Sequence, residues 1–314
     1  MDMCGLNRLY YIDQFIQEIY GDLIMPNPHA KWRIDFAQRI AGRLAPFEGI
    51  QAIIIAGSVA RDYADEFSDI EIPLFCQTLP DDGTRHAVVA ALNAKFVYAY
   101  DGPAREDQLL IEGVQVDLWH VSSAHQEEII EAVLRAHQFD LSALNALDTI
   151  RSCIPLYGHE LVQKWKLRAQ EYPQELARKI IQEHLTAFSI GELFAFAQRD
   201  NPTAFYSQLG YLQQEAFLIL LALNSRYFPT FKWIYRTLES MPVKPEAIEG
   251  RFRKAYATPY LEAVEDTKSI LEETVHLVEK RFPQIDTALA YRHLSYRRAA
   301  QFGDEPAAAA KSCR

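Results

Sequence analysis

Apolar residues recur at helical spacing over Leu6–Met25 and again over Lys31–Leu44, with Pro26-Asn27-Pro28 interrupting the pattern between them. The period then changes. Ala52–Ala56 is a short continuous apolar run that predicts a buried strand, closed by Gly57-Ser58 as a turn. A second strand follows a polar connection, and in it Asp69 and Glu71 alternate with Ile70 and Ile72. A polar turn around Pro80-Asp81-Asp82-Gly83 leads into a helix over His86–Asn93. Lys95–Tyr100 and Gln108–Ile111 read as further strands, and Glu112-Gly113 as a tight turn into Val114–Val121, so the last two strands form a hairpin.

From Ala124 onward the helical period runs almost unbroken. Helices are expected over Gln126–Ala136, His159–Ala169, Gln174–Arg199, Pro202–Asn224, Phe231–Glu239 and Tyr260–Arg281, with Pro173, Pro202, Pro229 and Pro259 at their ends. Strands first and helices later predict an α+β fold, a mixed sheet followed by a mostly helical bundle. The change of period sets a domain boundary near residue 122: residues 1–122 with the N-terminal helices, 123–302 as the helical domain, and 303–314, with its AAAAK run, as a disordered tail. No internal repeat is visible.

The chain has 314 residues, 49% of them hydrophobic, enough for two cores. Its formal net charge of -10 argues against an extended nucleic-acid footprint, which needs a clustered basic surface, and favours a small polar or cationic partner. Cys4, Cys76, Cys153 and Cys313 form no CxxC pair, so neither a zinc site nor a disulfide framework is indicated. No apolar run is long enough to span a bilayer and the start of the chain carries no secretion signal, so a reducing cytoplasmic location is expected.

Candidate chemistry concentrates in the first half. Carboxylates two positions apart on a strand share a face, so Asp69 and Glu71 point together while Ile70 and Ile72 pack inward. Like charges this close call for a cation or a basic neighbour; the alternative is an exposed acidic edge strand. Gly57-Ser58 offers backbone donors and a hydroxyl to a phosphate, or is simply a turn. Arg61 is spaced for a phosphate contact, or is a solvated loop arginine. In Val114–Val121, Gln115, Asp117 and Trp119 share a face, and Asp117 is an acid in an otherwise apolar strand. If that strand lies beside the acidic one, three carboxylates meet. They could then hold two Mg²⁺ ions, with Asp117 also placed to accept a proton from an acceptor hydroxyl.

The stretch GSVARDYADEFSDIE, with Asp117 downstream, resembles the nucleotidyltransferase motif of the DNA polymerase β superfamily, GSxARGxxxxxSDxD or its DxE variant. The glutamate at the second acidic position is similar to the pattern of kanamycin nucleotidyltransferase, and the catalytic resemblance covers about residues 50 to 121. It implies that Gly57 and Ser58 bind a triphosphate and that Asp69, Glu71 and Asp117 hold metal. Asp62 departs from the glycine the motif usually carries there, which puts the shape of the loop in question. Leu221–Pro242, LALNSRYFPTFKWIYRTLESMP, is similar to the C-terminal region of a poorly characterised bacterial nucleotidyltransferase-like family. Antibiotic nucleotidyltransferases follow the catalytic domain with a helical bundle that helps bind the acceptor. From that side Lys232 and Arg226 are candidates for contacting the triphosphate, although Lys232 beside Trp233 also reads as a surface lysine next to a core tryptophan.

The resemblance implies a Mg²⁺-dependent transfer of a nucleoside monophosphate, AMP from ATP or another from its NTP, onto a hydroxyl of a small-molecule acceptor such as an antibiotic. The similar antibiotic enzyme is a dimer, which makes a homodimer an expectation here. The alternative is a nucleotide-binding sensor without turnover. His120 points away from Asp117 in a regular strand and reads as structural. Glu183, His184 and Glu192 are candidate acceptor-side groups or solvated helix residues. Phe205, Tyr206, Tyr211 and Phe217 read as core, and Glu262, Glu265, Asp266, Glu272 and Glu273 as a solvated helix face paired with Lys268.

Overall fold

The computed structural model describes residues 27–101 and 105–297; the helix expected over Leu6–Met25 and the tail from Gly303 lie outside them. The fold is α+β, and it divides into two compact units. One runs to His125 and also includes Ser152–Gln163; the other comprises Gln126–Arg151 and the chain from Lys164. The expected single boundary near residue 122 leaves out this return of 152–163 to the first unit.

The first described helix, α1 (Pro28–Leu44), starts earlier than its apolar period, because Pro28 occupies the first helical turn and the Asn27 side chain accepts from the His29 N–H. Its buried stripe runs Ala30, Arg33, Phe36, Ala37, Ile40, Ala41 and Leu44, apolar except for one arginine. A six-stranded sheet follows, in the order β3-β4-β5-β2-β1-β6. Its strands are β1 (Ile50–Ile55), β2 (Ile70–Cys76), β3 (Lys95–Asp101), β4 (Arg105–Ile111), β5 (Val114–Ser122) and β6 (Ile154–Tyr157). The hairpin β4–β5 forms as expected, and all pairs are antiparallel except β2 with β5. One face of the sheet, carrying Ile53, Ile55, Ile70, Ile72, Leu74, Val116 and Leu118, shares a core with α1 and with Val88 and Leu92 at the end of α3 (Asp82–Ala91). A one-turn helix, α2 (Gly57–Ala60), links β1 to the loop before β2.

β6 is a strand that the sequence pattern did not suggest, and it carries Pro155. As an edge strand paired only with β1 it tolerates the missing donor. On the helix-covered face the fold buries a charge network. Arg85 of α3 donates from Nε to both Asp107 oxygens at 3.1 and 3.2 Å, and from Nη2 to Oδ1 at 2.5 Å. His120 Nε2 lies 2.8 Å from Asp107 Oδ2, so His120 is structural, as its strand phase indicates. Burial alone would raise the Asp107 carboxyl; the hydrogen bonds from His120 and Arg85 outweigh it and hold the group below the usual range.

The second unit is helical: α4 (Ser123–Leu134, entering from the first unit), α5 (Leu141–Ser152), α6 (His159–Ala169, whose first half belongs to the first unit), α7 (Gln174–Leu185), α8 (Ile190–Gln198), α9 (Pro202–Leu223), α10 (Ile234–Glu239), α11 (Ile248–Lys254), α12 (Tyr260–Arg281) and α13 (Ala288–Ser295). α9 is its axis, buried at nearly every position from Leu212 to Leu223 and packed on α7, α8 and α12. The single helix expected over Gln174–Arg199 is broken between α7 and α8. Thr186 donates its hydroxyl to the Glu183 carbonyl, a local bond that competes with the next helical turn, and the bend buries Phe188 completely. Phe205 and Phe217 are core, whereas Tyr206 and Tyr211 are exposed at 36% and 43%. No helix among the described residues is long and apolar enough to cross a membrane.

Asp107→Ala strands the Arg85 guanidinium in the core and is expected to lower stability by about 3–5 kcal/mol, whereas Arg85→Met with Asp107→Leu together costs much less. Urea unfolding of both variants measures the difference.

Candidate functional site

The site is built on the sheet face opposite the α1 core. β2 and β5 run parallel with Glu71 paired to Asp117, so the two carboxylates share a face on adjacent strands, whose backbones are spaced about 4.8 Å. β5 lies directly beside β2, as the meeting of three carboxylates requires. Glu71 is half-buried and Asp117 is buried, with 7% of its surface exposed. Asp69 stands one residue before β2 and is half-buried.

Electrostatics ties the three together. Burial and then the Asp69 charge push the Asp117 carboxyl up to about 6. The Glu106 and Glu71 charges add to this, and Gln115 Nε2, donating to Asp117 Oδ1 at 3.4 Å, opposes it. Glu106 is a fourth acid that the sequence reading missed. The charged run Arg105-Glu106-Asp107 reads as a loop, yet it opens β4, where alternation sends Glu106 and Gln108 to the open face and Asp107 to the covered one. Trp119, two residues beyond Asp117 on the same face, is 37% exposed.

The turn after β1 is locked against the acidic strand. The Ala56 N–H donates to the Glu71 carbonyl at 3.0 Å, and Gly57 follows with φ +62°. A Cβ on Gly57 would fall 1.4 Å from Glu71 Oε2, so any other residue there meets a strained backbone and must turn the Glu71 carboxylate aside. Ser58 is buried in the same turn, its carbonyl accepting from the Tyr63 N–H at 2.8 Å. The half-buried Arg61 caps α2 with its backbone N–H on the Gly57 carbonyl. Asp62 adopts φ 58°, the left-handed conformation for which the motif's glycine is suited. Its Oδ1 accepts from the Asn27 N–H at 2.9 Å, which supports an aspartate there.

Lys232 belongs to the second unit. It is exposed in a 3₁₀ turn, Phe231–Trp233, with its Nζ 5.2 Å from the Trp233 ring centroid. Arg226, just after α9, is occupied by the C-cap of α10, donating to the Ser240 hydroxyl and carbonyl at 2.7 and 2.9 Å. His184 Nδ1 lies 2.7 Å from Glu215 Oε2, and Glu183 and Glu192 are exposed. The acidic face of α12 is met by cations, Lys268 pairing with Glu272 at 3.5 Å and Lys254 with Asp266 at 3.1 Å.

Among the described residues no three His, Cys, Asp or Glu side chains are grouped closely enough to hold a metal ion. The donor chemistry nonetheless fits a hard divalent cation: the donors are all carboxylate oxygens, and the Asp69 and Glu71 charges add to burial in raising Asp117.

A family described as a domain of unknown function (DUF4037) matches residues 154–234, from β6 through α9 to the 3₁₀ turn. No curated protein matches the chain. Among solved structures, the nucleotidyltransferase-like protein from Exiguobacterium sibiricum 255-15 is similar at 12% identity, over 79% of this chain and 78% of that one, with a TM-score of 0.39.

Asp117 ionises near 3.8 when unfolded and near 6 when folded, so the folded state holds the extra proton between these values and loses stability as pH rises through them. Asp117→Asn is therefore expected to gain on wild type across that window, levelling off at about 2–3 kcal/mol above it. Chemical denaturation at a series of pH values measures the gap. Gly57→Ala is expected to destabilise the wild type more than the Glu71→Ala background, a coupling that a double-mutant cycle detects.

Proposed function

We propose that the chain is a nucleotidyltransferase, moving a nucleoside monophosphate, AMP when ATP is the donor, onto a hydroxyl of a small-molecule acceptor with release of pyrophosphate. The observation that carries this reading is the paired register of Glu71 and Asp117 on the open face. Asp69 is close enough in charge to raise Asp117, and the Gly57-Ser58 turn lies directly against Glu71. The likeness of this segment to the polymerase β superfamily motif assigns the roles.

Asp69, Glu71 and Asp117 would hold Mg²⁺, expected as two ions, which when bound supplies neutralisation of phosphate charge during in-line displacement. Once the Glu71 carboxylate turns away, Gly57 would let a phosphate approach backbone, and Ser58 and Arg61 are the nearby donors assigned to the triphosphate. Asp117 accepts the proton of the acceptor hydroxyl as its oxygen bonds to the α-phosphorus; the bond from that phosphorus to the bridging oxygen breaks and pyrophosphate leaves. Burial and acidic neighbours raise the Asp117 carboxyl to about 6 before any cation binds, and a bound cation would lower it, leaving a carboxylate at neutral pH.

A second reading, a nucleotide-binding sensor without turnover, draws on the ungrouped carboxylates and on Glu71 lying against Gly57. On the transferase reading, loading a cation involves side-chain rotation at Asp69 or Glu71. Calorimetry with ATP and Mg²⁺, followed by pyrophosphate release across a panel of hydroxylated acceptors including aminoglycosides, separates the two. Transfer is expected in wild type, with a loss of at least about a hundredfold in Asp69→Ala and Glu71→Ala. Unchanged activity in either variant overturns the assignment, and tight binding with no release on any acceptor favours the sensor.

A further inference from the structure

We infer that Arg33 and Asn27, at the start of α1, are positioning residues for Asp69: they clamp the loop 62–68 at both ends and so set where the acidic strand begins. The inference rests on the proposed cation-binding role of Asp69.

Arg33 is the exception in the apolar stripe of α1, and only 3% of it is exposed. Packing alone favours an aliphatic residue there, because a buried guanidinium is costly unless its donors are satisfied. Its donors are aimed at the site. Nε and Nη2 both donate to the Ser68 carbonyl, at 3.0 and 2.6 Å, one residue before Asp69, and Nη1 donates to the His29 carbonyl at 2.8 Å. The Trp32 ring covers the guanidinium at 4.4 Å from its centroid. Burial pulls the Arg33 pKa down, while the Asp65 and Asp69 charges work to raise it.

Asn27 holds the other end of the loop. Its Nδ2 donates to the Ala64 carbonyl at 2.5 Å and its N–H to Asp62 Oδ1 at 2.9 Å. Between the clamps the loop closes on itself. The Asp65 N–H donates to Ser68 Oγ, and the Ser68 hydroxyl and the Phe67 N–H both donate to Asp65 Oδ1, each at 3.0 Å. Two residues of one helix therefore fix three points of the loop, at 62, 64 and 68, and Asp69 follows the last with little remaining freedom.

Electrostatics and positioning predict opposite signs. Arg33→Met removes a positive charge near the acids, so charge alone would tighten divalent-cation binding. Loss of the clamp would weaken it, by about 10- to 100-fold if it acts as outer partners of metal ligands do. The experiment titrates Mn²⁺ by electron paramagnetic resonance into full-length wild type, Arg33→Met, Arg33→Lys and Asn27→Ala. It also follows amide hydrogen exchange of residues 65–69 without metal. Weaker Mn²⁺ binding and faster exchange are expected in Arg33→Met and Asn27→Ala, with partial recovery of affinity in Arg33→Lys. Asn27→Ala carries the test if Arg33→Met does not fold. Tighter or unchanged Mn²⁺ binding, or unchanged exchange, in the folded variants overturns the inference. Equal Mn²⁺ binding by wild type and Asp69→Ala overturns the proposed site instead, and the clamp is then decided by the exchange measurement alone.

Discussion

The constraint on which the first unit turns is the parallel ladder between β2 and β5. Every other pair in the sheet is antiparallel, and this one sets Glu71 beside Asp117. A shift of one residue would send one of them to the α1 side, among Ile72, Val116 and Leu118. The apolar core on one face thus enforces the meeting of like charges on the other. Core packing supplies the free energy, and the open face carries the electrostatic penalty.

The two faces treat buried acid in opposite ways. On the covered face Asp107 is enclosed by Arg85 and His120 and is held ionised. On the open face Asp117 has Gln115 as its hydrogen-bond donor among acidic neighbours, and its proton is retained to about 6. The two residues lie on adjacent strands, β4 and β5, of one sheet. What separates the two carboxylates is the presence of an internal cation, and strand phase alone decides which side each occupies.

That phase is why so much was legible in the sequence. Period-two alternation assigned Asp69, Glu71 and Asp117 to one side and His120 to the other, since it depends only on local geometry. What escaped reading depended on partners distant in sequence. Glu106 lies in a charged run at the start of β4, and β6 is a four-residue edge strand whose partner β1 lies about a hundred residues earlier. The break between α7 and α8 follows from the burial of Phe188, which helical period does not reveal. Arg33 went unremarked in the sequence pattern, because its target at Ser68 is 35 residues away. The nucleotide-binding and metal roles remain the proposal set out above.

The late arrival of β6 has a consequence for how the first unit is made. β1 sits between β2 and β6, so until residues 154–157 join, its outer edge has no strand to pair with. During synthesis that edge, Ile53-Ile54-Ile55, waits while residues 126–151 of the other unit are added. An unpaired apolar edge is a template for pairing with other chains. The order of elements along the chain therefore makes the newly made first half, rather than the finished protein, the species most in need of protection from aggregation.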